Sequence, residues 1–225
     1  MPVPAGKELA LNPTDRLIRD AATLGAPLDE AGALRLQLLL EELVHWNQRF
    51  NLTAITEPGA MLTHHLLDSL SIHADLEGER IADIGTGAGF PGLPLAVVNP
   101  QRRFTLVDSS EKKVRFVANT AQRMGLANVE ALHARSEQMK PTVPFDTVVT
   151  RAFAPLPRLV KLVTPLCGAG TRVLAMKGRL PTEEIAALPA PWRLERSREI
   201  AVPGLDAARC VLLLRRGGGA GITQT

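Results

Sequence analysis

The chain has 225 residues, 24.2 kDa and 45% apolar side chains, enough for one packed domain with an appendage. A net charge of +3 and a pI near 9.2 permit an anionic partner without requiring one. No apolar run approaches a bilayer span, the opening MPVPAGKELALNPTDR lacks the plan of a secretory signal, and Cys167 and Cys210 alone make neither a disulfide framework nor a metal site, so a cytoplasmic protein without membrane contact is expected.

Before residue 77 the pattern is helical. Asn12 is the N-cap and Pro13 the first position of a helix whose Leu17, Ile18, Ala21 and Leu24 share a face, closed by Gly25. A second helix starts near Asp29, with Leu36, Leu39, Leu40, Leu43, Val44 and Trp46 at helical spacing. A third follows Thr56-Glu57-Pro58 and carries Met61, Leu62, Leu66 and Leu70. From Arg80 onward short β-branched runs alternate with amphipathic helices. Strands are expected at 80–84, 104–108, 129–133, 145–150 and 171–176, with helices near 91–98, 111–124, 155–165 and 181–187, the order of an open parallel sheet wrapped by helices. The last runs, 193–202 and 207–215, have only PGLD between them, too little for a crossover helix, so an antiparallel hairpin is expected on the sheet edge. The expected division is a helical extension over 1–76, an α/β domain over 77–216 and a disordered tail over 217–225.

The chemistry concentrates where the first strand ends. RIADIGTGAGFPG runs a strand directly into a glycine-rich turn that opens a helix, an arrangement that brings bare backbone N–H groups close to a ligand. A G-x-G-x-x-G string is present from Gly87 to Gly92, but the strand ends at Asp83-Ile84-Gly85, two residues too early for a dinucleotide loop. Asp83 would also repel a pyrophosphate, whereas it suits a cationic ligand end. S-adenosyl-L-methionine is therefore the expected cofactor, with Asp83, Gly85 and Gly87 organising its loop; a purely structural glycine turn is the alternative. Asp108 ends the next strand, where it suits the ribose hydroxyls and equally suits a helix N-cap. Ser136 and Glu137 end the third strand, beside the adenine. Arg151, Phe153 and Pro155 follow the fourth, toward the reacting methyl.

WNQRFNLTAI, HHLLDSLSI, DIGTGAGFPGLPLA, VDSSEKKVRF, TRAFAPL and LAMKG, in this order between about Glu41 and Arg215, resemble the successive motifs of the RsmG (GidB) family of bacterial 16S rRNA methyltransferases. The resemblance implies a class I methyltransferase (Rossmann-like) fold, a seven-stranded mostly parallel sheet with an N-terminal helical extension. It implies methylation of N7 of a guanine in the decoding-region loop of 16S rRNA, with Gly85, Phe90, Ser136, Glu137 and Arg151 as cofactor contacts. The partner is then 16S rRNA or the small ribosomal subunit, and a monomer is expected. Where many relatives have Pro and Leu in the glycine loop, this chain has Ala88 and Phe90; the segment before residue 12 carries no motif.

Guanine N7 has a free lone pair and no proton to lose, so no general base is expected, and Arg151 is assigned a positioning role. The chain has no Asp/Asn-Pro-Pro-Tyr/Phe string after the fourth strand, the mark of exocyclic-amine methylation, and no cysteine nucleophile there. The residues by themselves leave a ribose or a small molecule open as acceptor. Phe153 is either a stacking platform for a splayed base or a core residue, and Lys177 and Arg115 are candidate RNA contacts. Lys112 and Lys113 read equally as phosphate contacts or as a solvated face. His65, Asp68 and Ser69 share a helical face, favoured as a hydrogen-bonded set that holds this helix to the glycine loop over a direct RNA contact; Asn51 caps or orients the same junction.

Overall fold

The computed structural model describes residues 12–217. Apart from residue 217, the tail expected over 217–225 lies outside the described residues, as does the segment before residue 12. Three helical segments come first. Helix α1 (Pro13–Thr23) is capped by Asn12, whose side chain accepts from Asp15 N, and α2 (Glu30–Phe50) by Asp29, which accepts from Gly32 N. The third helix is not uniform: α3 (Pro58–Met61) passes through a π-helical stretch, Leu62–Leu67, into α4 (Asp68–Leu70). Wide turns of this kind recur at functional sites, and this one carries His64 and His65.

The sheet contains β1 (Arg80–Ile84), β2 (Arg103–Asp108), β3 (Val129–His133), β4 (Phe145–Arg151), β5 (Cys167–Lys177), β6 (Trp192–Glu199) and β7 (Cys210–Arg216). Its order is β3-β2-β1-β4-β5-β7-β6; β1 to β5 are parallel, and β7 runs antiparallel to both β5 and β6. The intervening helices are α5 (Gly92–Val97), α6 (Glu111–Arg123), α7 (Leu156–Val163) and α8 (Thr182–Ala186). The switch of strand order falls between β1 and β4, which opens a crevice at the carboxyl ends of the strands.

Alternation along the strands divides two hydrophobic layers. Ile81, Val149, Leu174 and Leu213 face the layer of α1, α2, α5 and α6, with Leu17, Leu36, Leu93 and Phe116; Ala82, Val148, Val173 and Leu212 face α7, with Leu156, Leu159 and Val163. The N-terminal helices therefore share one core with the sheet. No helix among the described residues is long and apolar enough to cross a membrane.

Two details differ from the sequence reading. Strand β5 starts at Cys167 rather than 171, because Cys167 already pairs with Phe145 across a register irregularity. The closing hairpin has a ten-residue connection, 200–209, in place of PGLD alone. Ile200 and Val202 are apolar because they pack beneath the helical layer, not because they continue a strand.

Candidate active site

Three strand ends and the glycine loop build the first cavity. Gly85 N and Thr86 N both donate to Val107 O, at 2.9 and 3.0 Å, so the loop is pinned to the end of β2. Asp83 is fully buried and accepts from Thr86 Oγ1 at 2.7 Å and Gly92 N at 2.8 Å, tying the end of β1 to the start of α5. Burial pushes its carboxyl up to about 6. Asp108 accepts from Gly87 N at 3.0 Å through one oxygen and from Ser110 N at 2.9 Å through the other. It joins the glycine loop to the helix start, and each oxygen keeps a second lone pair.

Around these ends lies a cavity of about 320 Å³ lined by Gly85, Asp108, Ser136, Glu137, Phe153 and Arg158, among others. The structure thus brings Gly85, Asp108, Ser136 and Glu137 together. It does not bring Asp83, Gly87, Phe90 or Arg151 to this lining. Asp83 and Gly87 act within the loop framework, and the buried Phe90 ring turns under the loop to stack on His65, centroids 4.7 Å apart. Phe153 packs against the glycine loop, so close that a Cβ at Gly85 would stand 2.2 Å from its ring.

A second cavity, about 440 Å³, opens on the other side of Ala152, the one residue common to both linings. Its walls include His64, His65, Asp68, Arg151, Lys177 and Arg209. Ala152 sits at φ 49°, a left-handed conformation that L side chains rarely adopt and that concentrates at functional sites. Asp68, nearly inaccessible, accepts from Arg151 NH1 at 3.1 Å and from Arg209 Nε at 3.0 Å; Arg151 NH1 also donates to His64 O at 2.9 Å. The Arg151 guanidinium lies 5.4 Å from the Phe90 ring. Lys177 does line this cavity, with its Nζ held by Glu184 at 2.9 Å and Ala154 O at 3.2 Å. Arg115 is exposed on α6 and lines neither cavity.

His65 Nε2 lies 3.0 Å from Thr53 Oγ1, and Ser69 Oγ donates to the His65 carbonyl, which matches a hydrogen-bonded set against the glycine loop. Asn51 ends α2 in a left-handed conformation; the side chain that orients the junction is instead Asn47, bonded to both Thr53 N and Thr53 O. Arg209, Asn47 and Thr53 were not among the expected site residues. Asn47 and Thr53 fall within WNQRFNLTAI and carry a local polar signal, whereas nothing near Arg209 marks it.

Burial, and then the Arg151 charge, depress His65 to about 4. The unfolded chain therefore takes up a proton between pH 6.5 and 4 that the folded imidazole resists, so this histidine costs stability as pH falls through that window. A His65→Gln variant is expected to lose less stability than the parent between pH 6.5 and 4, by on the order of 2 kcal/mol, in urea titrations. Asp83 acts oppositely below about 6 but is common to both proteins.

Known proteins resemble the chain along most of its length. The model of the family described as rRNA small subunit methyltransferase G matches residues 33–212. The chain is 45% identical over 204 residues to the ribosomal RNA small subunit methyltransferase G of Pseudomonas paraeruginosa, covering 90% of this chain and 95% of that protein. It is 40% identical over 215 residues to the protein of the same name from Nitrosospira multiformis, covering 92% and 100%. Among solved structures, the O-methyltransferase TomG from Streptomyces achromogenes aligns over 92% of this chain and all of that one, at a TM-score of 0.53 and 18% identity, a likeness of fold. With a family model spanning most of its length and relatives of 40 and 45% identity along nearly all of theirs, the chain belongs to the rRNA small subunit methyltransferase G family.

Proposed function

We propose that this protein transfers a methyl group from S-adenosylmethionine to N7 of a guanine in the decoding-region loop of small-subunit ribosomal RNA. In this reading the cofactor lies in the cavity of Gly85, Asp108, Ser136 and Glu137, and the base in the cavity beyond Ala152. The observation that carries it is the meeting of two cavities at one residue, at the crevice where ligands of open α/β sheets bind. The donor set suits the cofactor. Asp108 retains lone pairs for ribose hydroxyls, Ser136 and Glu137 offer polar edges, and the left-handed glycines leave the loop backbone bare.

Bound there, the cofactor supplies an electrophilic methyl on a sulfonium. The protein's part is positioning. Guanine N7 attacks with its own lone pair, so neither neutral His65 nor Asp68, committed to two guanidinium ions, has a proton to remove. Arg151 and Arg209, both fixed by Asp68, hold the wall against which the base lies, and the Lys177 ammonium, anchored by Glu184, adds a third cation at the same edge.

The segment before residue 77 belongs to this catalytic unit rather than to a separate binding module. Ile55, His64, His65 and Asp68 form one wall of the second cavity, and Leu17 and Leu36 share the sheet's core. The ribosomal substrate sets the reaction in the cytoplasm.

The test is transfer of labelled methyl to small subunits from cells lacking the gene, with nucleoside analysis. Label in 7-methylguanosine is the expected result; label in another nucleoside, or tight cofactor binding with no transfer, contradicts it.

A further inference from the structure

A cavity larger than either of these lies away from the reacting edge. About 650 Å³ in volume, it opens at the amino ends of β1 to β4, bounded also by α2 and by the turn between α5 and β2. Four guanidinium groups line it, those of Arg35, Arg80, Arg102 and Arg103, against a single carboxylate, Glu130. The lining thus carries a local excess of three positive charges.

Ion pairing does not account for these arginines. Among the described residues, none of the four is within ion-pair distance of a carboxylate, although nine other arginines are. Arg80 Nε and Arg102 NH1 are buried without any hydrogen-bond partner, a cost normally relieved by a partner or a ligand. The frame around them is rigid. Asn128 Nδ2 donates to Ala96 O, Asn99 O and Arg102 O at 3.1 to 3.2 Å, fixing the turn that presents Arg102 and Arg103, and the Arg80 guanidinium lies 5.4 Å from the Phe145 ring centroid while donating to Val143 O at 3.0 Å.

We infer that this cavity binds phosphates of the ribosomal RNA substrate, as a second contact away from the methylated base. The inference rests on the reading given under Proposed function. The lining offers charge and almost no stacking surface, since Phe104 and Phe145 are buried at 1% and 5% exposure, so it reads backbone and not bases. Strand β1 is five residues long, which separates the two edges by about 17 Å. A folded RNA element seated at the reacting edge can reach both.

The test compares the full-length parent with Arg35→Gln/Arg103→Gln, both exposed side chains, for binding to transcribed small-subunit rRNA across a salt series. The double variant is expected to bind about tenfold more weakly at low salt, with the slope of log K against log salt shallower by about 1.5 and binding of S-adenosylhomocysteine unchanged. Arg35→Glu alone, on the surface of α2, should weaken rRNA binding in the same direction and guards against a folding defect in the double variant. Equal affinity and slope for parent and variants overturn the inference and leave the methyltransferase reading intact; a parent that binds no rRNA overturns both. Inorganic tripolyphosphate that raises the parent's Tm while the variants keep full rRNA affinity assigns the cavity to a free polyphosphate and overturns the RNA contact.

Discussion

Gly85→Ala is expected to abolish cofactor binding while leaving a folded protein. Gly85 sits at φ +71°, where a side chain costs about 1 to 2 kcal/mol, and its added Cβ would stand 2.2 Å from Phe153 Cδ2 and 2.8 Å from Cε2. The ring must move, and because Phe153 lines the cofactor cavity its displacement fills or reshapes that space. The loop is also held at Gly85 N by Val107 O, so backbone relief breaks the link to β2. A loss of at least about 100-fold in affinity for S-adenosylhomocysteine, read by calorimetry, corresponds to about 3 kcal/mol. Gly87→Ala is the control: at φ +61° its Cβ meets only Gly85 O at 4.0 Å, so stability should fall by about 1 kcal/mol and no more. Equal effects of the two substitutions would remove the packing argument.

Asp68→Ala is expected to damage both stability and transfer. The carboxylate is buried and is the shared partner of Arg151 and Arg209, whose side chains are about one-fifth exposed. Its removal leaves two guanidinium ions facing each other across a partly desolvated cavity, which costs about 3 kcal/mol, or a Tm lower by about 6 to 12 °C. The same loss frees the wall of the acceptor cavity, so single-turnover methyl transfer should fall by about 100-fold with cofactor affinity nearly intact. Asp68→Asn, which keeps an acceptor but no charge, should fall between. Loss of cofactor affinity to the same degree as transfer would place Asp68 on the donor side instead.

The donor side of the site was legible in the sequence because its parts are local. A short strand buried on both faces, a glycine turn and an acid at each of two strand ends are written within short segments, and Asp83, Gly85, Asp108, Ser136 and Glu137 all fall at carboxyl ends of strands. The acceptor side was only half legible. Arg151 meets Asp68 across 83 residues, and Arg209 meets Asp68 across 141, pairings that no periodicity encodes. LTHHLL looks like ordinary amphipathic helix, and nothing in it announces a π-helical turn. The direction of the aromatic rings was not legible. Phe90, a cofactor contact implied by the family resemblance, precedes a proline in the loop and turns its ring inward to His65; Phe153 follows a left-handed Ala152 and packs back on Gly85, away from the second cavity. Both depend on backbone angles at single residues. Lys177 was placed correctly at a strand end, while its pairing with Glu184 awaited the fold.

The account turns on Ala152 as the wall between donor and acceptor. A crystal structure with S-adenosylhomocysteine tests this most directly. Density for the nucleoside among Gly85, Asp108, Ser136 and Glu137, with its sulfur directed to Ala152, is the predicted result; density among His64, Asp68 and Arg209 would contradict it.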